Sequence, residues 1–300
     1  PARGSGDAMQ PDLAALGPPD GLGTSGALLR SWSAQSASAG MGEGETMVVA
    51  FGGLEKRLGG GPGGFAPYEF VKTCKAAGAC WTLFVRDSLQ AWYLRGLEGE
   101  ASPSTFDGVV ESLRAEVARV RPRRIVTIGA SMGGYAAIRA ALAIGADAAI
   151  AFSPQVLLDP DERAAAGLPL MTFDPKLCAL KERAHEEGFV LEALTSVVKR
   201  ASDTAPTAIE LHVGANEEGD VMEAHMLRDT IHEHGSTCNL RCSLHLHAGC
   251  DHSVVGALRD SGELRLLLRR QILGPGAVPE TAMAALGIGV TRTSFASMCF

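Results

Sequence analysis

The stretch RIVTIGASMGGYAAIRAAL, Arg124 to Leu142, decides the fold. It opens with a β-branched run suited to a strand and closes with an Ala-rich segment whose only charge is Arg139, suited to a helix buried against a sheet. Gly145 ends that helix. Between the two lies Ser131, flanked by Gly129 and Gly133. In a chain with 36 glycines the letters G-x-S-x-G carry little alone; the strand before and the helix after give them weight. So sharp a turn forces one residue into a strained conformation, and a Cβ at Gly129 or Gly133 would collide with the opposite limb. It lifts the Ser131 hydroxyl above the sheet edge, at the positive end of the next helix, where the Met132 N–H faces a developing oxyanion. Ser131 therefore reads as a nucleophile, against the plainer alternative of a small packing residue.

The same rhythm extends outward. Apolar runs occur at Thr46–Phe51, Cys80–Val85, Arg124–Gly129, Asp147–Phe152, Ala208–Val213 and Leu240–His247. Helical periods separate most of them. Pro67 suits the first turn of a helix ending at Gly78. In STFDGVVESLRAEVARV, Phe106, Val109, Val110, Leu113, Val117 and Val120 share one face behind a Ser104 or Thr105 cap. Alternating strands and helices imply right-handed crossovers and a doubly wound, mostly parallel sheet covered on both faces. About 55 residues separate Phe152 from Ala208, roughly twice what a crossover helix needs. FDPKLCALKERAHEEG and FVLEALTSVVKRA within them read as helices, so residues 154–206 are expected to form a small helical cap or simply extra packing. Residues 1–45 read as a poorly structured leader, 46–273 as the folded domain, and 274–300 as a tail with a short helix at Thr281–Leu286.

Composition narrows the function classes. A hydrophobic share of 46% supports a sizeable core. A net charge of −7 argues against nucleic acid or an anionic membrane as the main partner. No apolar run reaches bilayer length. The seven cysteines include no C-x-x-C pair, so reduced thiols in a cytoplasm or organelle interior are expected, with no metal. The leader lacks a secretory apolar region and is compatible with a processed targeting remnant. Leu58–Gly64, LGGGPGG, lacks the G-K-[ST] ending of a phosphate loop and reads as a mobile loop beside the site.

A serine hydroxyl needs a base, and the base an orienting acid, both on loops after later strands in this architecture. His252 follows the last run by five residues, whereas His245 and His247 lie inside it and read as packed or structurally partnered. The acid must come from GANEEGDVMEAH. Asp220 is the first choice there and Glu217 the second.

Together GASMGGYAA, GANEEGD and GCDHSVV resemble the α/β-hydrolase superfamily. FGGL, PYEF, VRDSLQAWYLRGL, AFSPQ and DHSVVGALRDSGEL resemble, more narrowly, a group of small bacterial-type serine hydrolases of the esterase and thioesterase kind. The likeness covers Met47 to Leu273. It implies a second oxyanion donor at the N–H of Gly53 or Leu54, although Phe51 replaces the histidine of the lipase form. It places Arg86, Gln90, Trp92, Tyr93 and Gln155 as candidates for the substrate pocket, with an Arg86–Asp87 structural pair and core aromatics as the alternative. The expected activity is hydrolysis of a small-molecule ester or thioester through an acyl-enzyme on Ser131, without cofactor. Two alternatives stand: a catalytically silent subunit whose tails dock a protein partner, and an acyltransferase or lyase of the same fold.

Overall fold

The structure is a computed structural model; it describes residues 28–32, 46–54, 69–78, 81–98, 104–201 and 207–273. Seven strands form one sheet: β1 (Leu28–Trp32), β2 (Thr46–Phe51), β3 (Trp81–Val85), β4 (Arg124–Ala130), β5 (Ala148–Phe152), β6 (Ala208–Gly214) and β7 (Arg241–His247). Their order across the sheet is β1-β3-β2-β4-β5-β6-β7. The six expected runs are all present and all parallel. β1 corrects the expectation of an unstructured leader: it pairs antiparallel with β3, from Leu28 opposite Val85 to Trp32 opposite Trp81. Five residues among Gly and Ser carry too short an alternation to announce a strand. What makes this one is the otherwise open edge of β3.

Strand residues alternate between two cores, as a pleat requires. Val49, Phe51, Leu83, Val85, Ala149 and Ala151 face one side. That side is covered by α2 (Phe106–Val120), α3 (Met132–Ile144), α5 (Asp174–Glu187), α6 (Leu194–Arg200) and α7 (Glu218–Cys238). Val48, Ala50, Phe84, Val126, Ile128 and Phe152 face the other, beneath α1 (Val71–Ala77), α8 (Val254–Asp260) and α9 (Glu263–Leu273). Thr105 caps α2, its hydroxyl accepting from the Gly108 N–H at 3.3 Å. The faces of α2 named from sequence are inside, with Val117 and Val120 at the margin.

Several boundaries differ from the sequence reading. α1 begins at Val71, behind Phe70 with φ 64°; Pro67 lies outside the described residues, as do Leu58–Gly64 and the tail from Gly274. The insertion contains a short helix, α4 (Pro160–Ala165), that no apolar period announced, and α6 starts at Leu194 rather than at Phe189. Asp220 is inside the first turn of α7, not before it.

After β3 the chain coils inward through Gln90, Trp92 and Tyr93, all at positive φ (49°, 51° and 60°). The Asp87 carboxylate holds this coil by accepting from the N–H groups of Leu89, Ala91 and Tyr93 at 3.0, 2.7 and 2.8 Å. Asp87 is thus the organiser of the segment rather than half of an Arg86 pair alone. Three left-handed residues in a row of four cost free energy that only such over-determined bonding offsets. Asp87→Ala is expected to lower stability by about 3 kcal/mol or more, because three backbone donors lose a charged acceptor. Ser88→Ala, which removes an exposed hydroxyl bonded to Glu98, should stay within about 0.5 kcal/mol. Urea midpoints of the two variants check the contrast.

Candidate active site

The six parallel strands end along one edge of the sheet, and Ser131 follows β4 there. The residue has φ 54° and ψ −122° and stands at the N-cap of α3, yet its hydroxyl makes no capping bond. Its N–H donates to the Phe152 carbonyl at 2.8 Å, tying the elbow to the neighbouring strand. Gly129 and Gly133 face each other so closely that a Cβ on Gly129 would fall on the Gly133 carbonyl. A Cβ on Gly133 would fall on the Phe51 carbonyl at the end of β2. The released hydroxyl meets His252, in the turn before α8, with Oγ to Nε2 at 3.0 Å. His252 Nδ1 lies 2.8 Å from Asp220 Oδ2 and 3.1 Å from Oδ1. Asp220 is buried, at 1% side-chain exposure, and His252 keeps 24%. A carboxylate on Nδ1 leaves Nε2 with the lone pair that can take the serine proton.

A second bond reaches the same hydroxyl from below. Gln155 Nε2 donates to Ser131 Oγ at 2.9 Å, and Trp92 Nε1 donates to Gln155 Oε1 at 3.0 Å. Trp92, Gln155, Ser131, His252 and Asp220 therefore form one hydrogen-bonded line drawn from five segments of the chain. With the Gln155 amide donating, the hydroxyl's own proton is left for His252.

This arrangement corrects the expected pocket wall. A cavity of about 640 Å³ is lined by Gly53, Leu54, Glu69, Gln90, Ala130, Ser131, Thr172, Phe173, Lys176 and His252. Of the five residues expected on its wall only Gln90 is there. Trp92, Tyr93 and Gln155 are fully buried behind it, and Arg86 is buried beside the Gly52 backbone. The inward coil after β3 turns the aromatic faces into core, as the alternative reading of that stretch expects.

The cap residues Thr172, Phe173 and Lys176 do reach the cavity. Phe173 packs on the His252 ring with centroids 5.7 Å apart. A buried polar network sets its place. Glu223, on α7 one turn beyond Asp220, accepts from the N–H groups of Val156 and Leu157, both at 3.1 Å. The same oxygen takes Arg163 Nη1 at 2.7 Å. Arg163 lies over the Phe173 ring at 4.9 Å and its Nε is 3.1 Å from Asp174. Burial pushes the Glu223 carboxyl up to about 7, against the pull of Arg163 and the two N–H groups.

Glu69 is the residue the sequence reading missed. It lines the cavity and accepts the Gly53 N–H, the group expected to hold the oxyanion. The Glu69 carboxyl thus faces the backbone of Gly53, one of the two expected oxyanion donors; Leu54 lies on the wall and Met132 N–H stands at the start of α3. Desolvation raises the Glu69 carboxyl to about 7, opposed by the Gly53 bond. A glutamate between Tyr68 and Phe70, just after the glycine loop, was the available signal.

Away from the cavity, Glu210, His212 and His245 bring metal-ligand atoms within 4.8 Å of one another. The charge of Glu210 is already met: both its oxygens take Arg270 Nη2 at 2.6 Å, and Gln271 adds a bond at 2.7 Å. His212 stacks on His245 at 4.5 Å and bonds His247 at 3.0 Å. The cluster reads as an internal ion pair sealed by packed imidazoles.

Among solved structures the chain is similar to the capsule O-acetyltransferase of Neisseria meningitidis serogroup A, at 12% identity and TM-score 0.53, over 83% of this chain and 92% of that one. It is also similar to a hormone-sensitive lipase from a metagenome library, at 17% identity and TM-score 0.51, over 81% of each chain. Est1E from Butyrivibrio proteoclasticus matches at 14% identity and TM-score 0.50, over 82% of this chain and 94% of that one. No protein-family model matches the sequence, and no curated protein matches it. Likenesses at this identity establish the fold, which is the α/β-hydrolase fold. Among the described residues no helix is long and apolar enough to cross a membrane.

Arg163→Met leaves the buried Glu223 carboxyl without its partner and is expected to cost about 3–5 kcal/mol. Adding Glu223→Gln should recover much of that loss. A double-mutant cycle on urea unfolding measures the coupling; strictly additive losses would show that the two groups do not act together.

Proposed function

We propose that the chain is a serine hydrolase that cleaves an ester or thioester through an acyl-enzyme on Ser131. The observation that supports this most directly is the single geometry joining a strained serine to a histidine at 3.0 Å and that histidine to a buried carboxylate at 2.8 Å. A strained N-cap serine that forgoes its own capping bond is costly for folding alone. Strain of this kind persists at sites where chemistry uses it.

In the proposed cycle Ser131 Oγ attacks the acyl carbonyl as His252 Nε2 takes its proton. Asp220 holds the imidazole by accepting from Nδ1 and stabilises the imidazolium that forms. The tetrahedral oxyanion lies at the N-terminus of α3 against Met132 N–H and the backbone of the Gly53–Leu54 loop. His252 then protonates the leaving alcohol or thiol, and water, activated by the same histidine, releases the acid. Gln155 positions the nucleophile by holding one lone pair of Oγ, so that its rotor presents the proton to His252. Phe173 and the rest of the cap reduce solvent access to the imidazole.

Transfer of the acyl group to an alcohol other than water is the second reading. It is favoured by the likeness to an O-acetyltransferase over four-fifths of the chain. A small-molecule acyl donor is common to both. A protein partner bound through the terminal segments remains the basis of the silent-subunit reading.

A fluorophosphonate probe should label the wild type at Ser131 and leave Ser131→Ala unlabelled; well-folded wild type that resists labelling would sink the proposal. With p-nitrophenyl esters and acyl-thioesters, Ser131→Ala should lose at least about 10⁴-fold in kcat. Asp220→Asn should lose about 10²–10⁴-fold, while Glu217→Gln keeps the wild-type rate. Loss in the Glu217 variant alone would move the acid to that position. Ester product appearing on an added sugar or short alcohol, faster than free acid, identifies the transferase.

A further inference from the structure

Glu69 stands at the mouth of the oxyanion site, and the surrounding bonds show why it is there. Gly52 is held on both sides, which fixes the carbonyl of the peptide joining it to Gly53. Gly52 N–H donates to the Val85 carbonyl at 2.9 Å, and the Gly52 carbonyl accepts the Tyr93 hydroxyl at 2.8 Å. In a trans peptide the N–H points opposite to the carbonyl. The Gly53 N–H must therefore aim away from buried Tyr93 and into the cavity, where it meets the Glu69 carboxyl. Glu69 is anchored by its neighbour: Phe70 is buried and stacks on Phe152 at 6.2 Å, while its carbonyl accepts Cys74 N–H at 2.8 Å.

We propose, resting on the serine hydrolase reading above, that Glu69 is a further catalytic group of that site: as a neutral acid its carbonyl oxygen accepts Gly53 N–H and its O–H donates to the substrate oxyanion. Gly53 thus acts through the carboxyl instead of directly. Bond polarisation along Gly53 N–H, carbonyl and O–H strengthens the terminal donor. The ionised form has no proton to give and sets a negative charge beside the charge that develops in the transition state.

The sign of the pH dependence follows. Burial raises the carboxyl to about 7, so the donor form is full below that value and is lost as pH rises through it. His252 acts in the opposite sense, since its imidazole must be unprotonated to receive the Ser131 proton. Among the described residues the titratable groups that share the cavity lining with Glu69 are Lys176 from α5 and His252 from the turn before α8, with Tyr93 behind the Gly52–Gly53 peptide. The outcome is an alkaline limb that belongs to Glu69.

The experiment measures kcat/KM for p-nitrophenyl acetate and the second-order rate of fluorophosphonate labelling from pH 5 to 9, with Ser131→Ala as the blank. Wild type should fall on the alkaline side of about 7. Glu69→Gln, which retains an N–H donor that cannot ionise, should lose that fall and rise to a plateau. Glu69→Ala should lose about 10²-fold at pH 6, the loss expected for one oxyanion donor. An alkaline limb unchanged in Glu69→Gln overturns the proposal. So does an Ala variant as fast as wild type at pH 6, because the carboxyl would then be only a plug on Gly53. Wild type that neither turns over nor labels fails earlier and overturns the hydrolase reading itself, a result distinguishable from either of these.

Discussion

At Gly133 the backbone of α3 comes so close to the end of β2 that a side chain would overlap the carbonyl oxygens of Phe51 and Gly52. That approach joins the two halves of the candidate site. One half is the helix that carries Ser131 and the Met132 N–H; the other is the glycine loop that carries Gly53. The sheet places β2 beside β4, and the missing Cβ lets the following segments meet above it. Every longer-range bond to Ser131, from Phe152, Gln155 and His252, presupposes this fixed turn. The conformational cost of φ 54° at a serine, on the order of 1–3 kcal/mol, is offset by packing that leaves no other path for the chain.

Around the elbow the molecule relies on buried polar groups that are bonded to backbone rather than merely paired with each other. Asp87 gathers three N–H groups and shapes the coil containing Trp92 and Tyr93. Glu223 gathers two more, together with Arg163, and sets the entry to the cap. Each carboxylate stabilises an irregular segment that has no helix or sheet ladder of its own, which satisfies donors that would otherwise be buried unpaired. Asp220 and Glu223 lie on the same face of α7, three residues apart, so one helix serves both His252 and the cap that covers it.

The strands and the elbow were legible from sequence because their signals are local. β-branched runs, an Ala-rich helix and two glycines around a serine need no knowledge of distant residues. Ser131, Asp220 and His252 were legible for a related reason: a parallel sheet brings loops after successive strands to one edge, so chain order predicts proximity. Sequence leaves Trp92 and Tyr93 open between pocket wall and core because the choice depends on a left-handed coil organised by Asp87; Gln155 is buried with Trp92, which bonds it. β1 was missed because its partner, the edge of β3, is about fifty residues away. Glu69 carried no pattern of its own and gains meaning only from the direction of the Gly53 N–H.

By itself the sequence determined a doubly wound parallel sheet, its strand positions, and a serine, a carboxylate and a histidine in the order that such a sheet can assemble. Those properties follow from periodicity and from the short reach of turns. Only the tertiary structure decided which side chains face the cavity and which lie behind it, how Gln155 meets the serine hydroxyl, and that a glutamate lies against the Gly53 backbone. These depend on the direction of individual backbone N–H groups and on burial. Both are set by contacts between segments far apart in the chain, and no local pattern of residues encodes them.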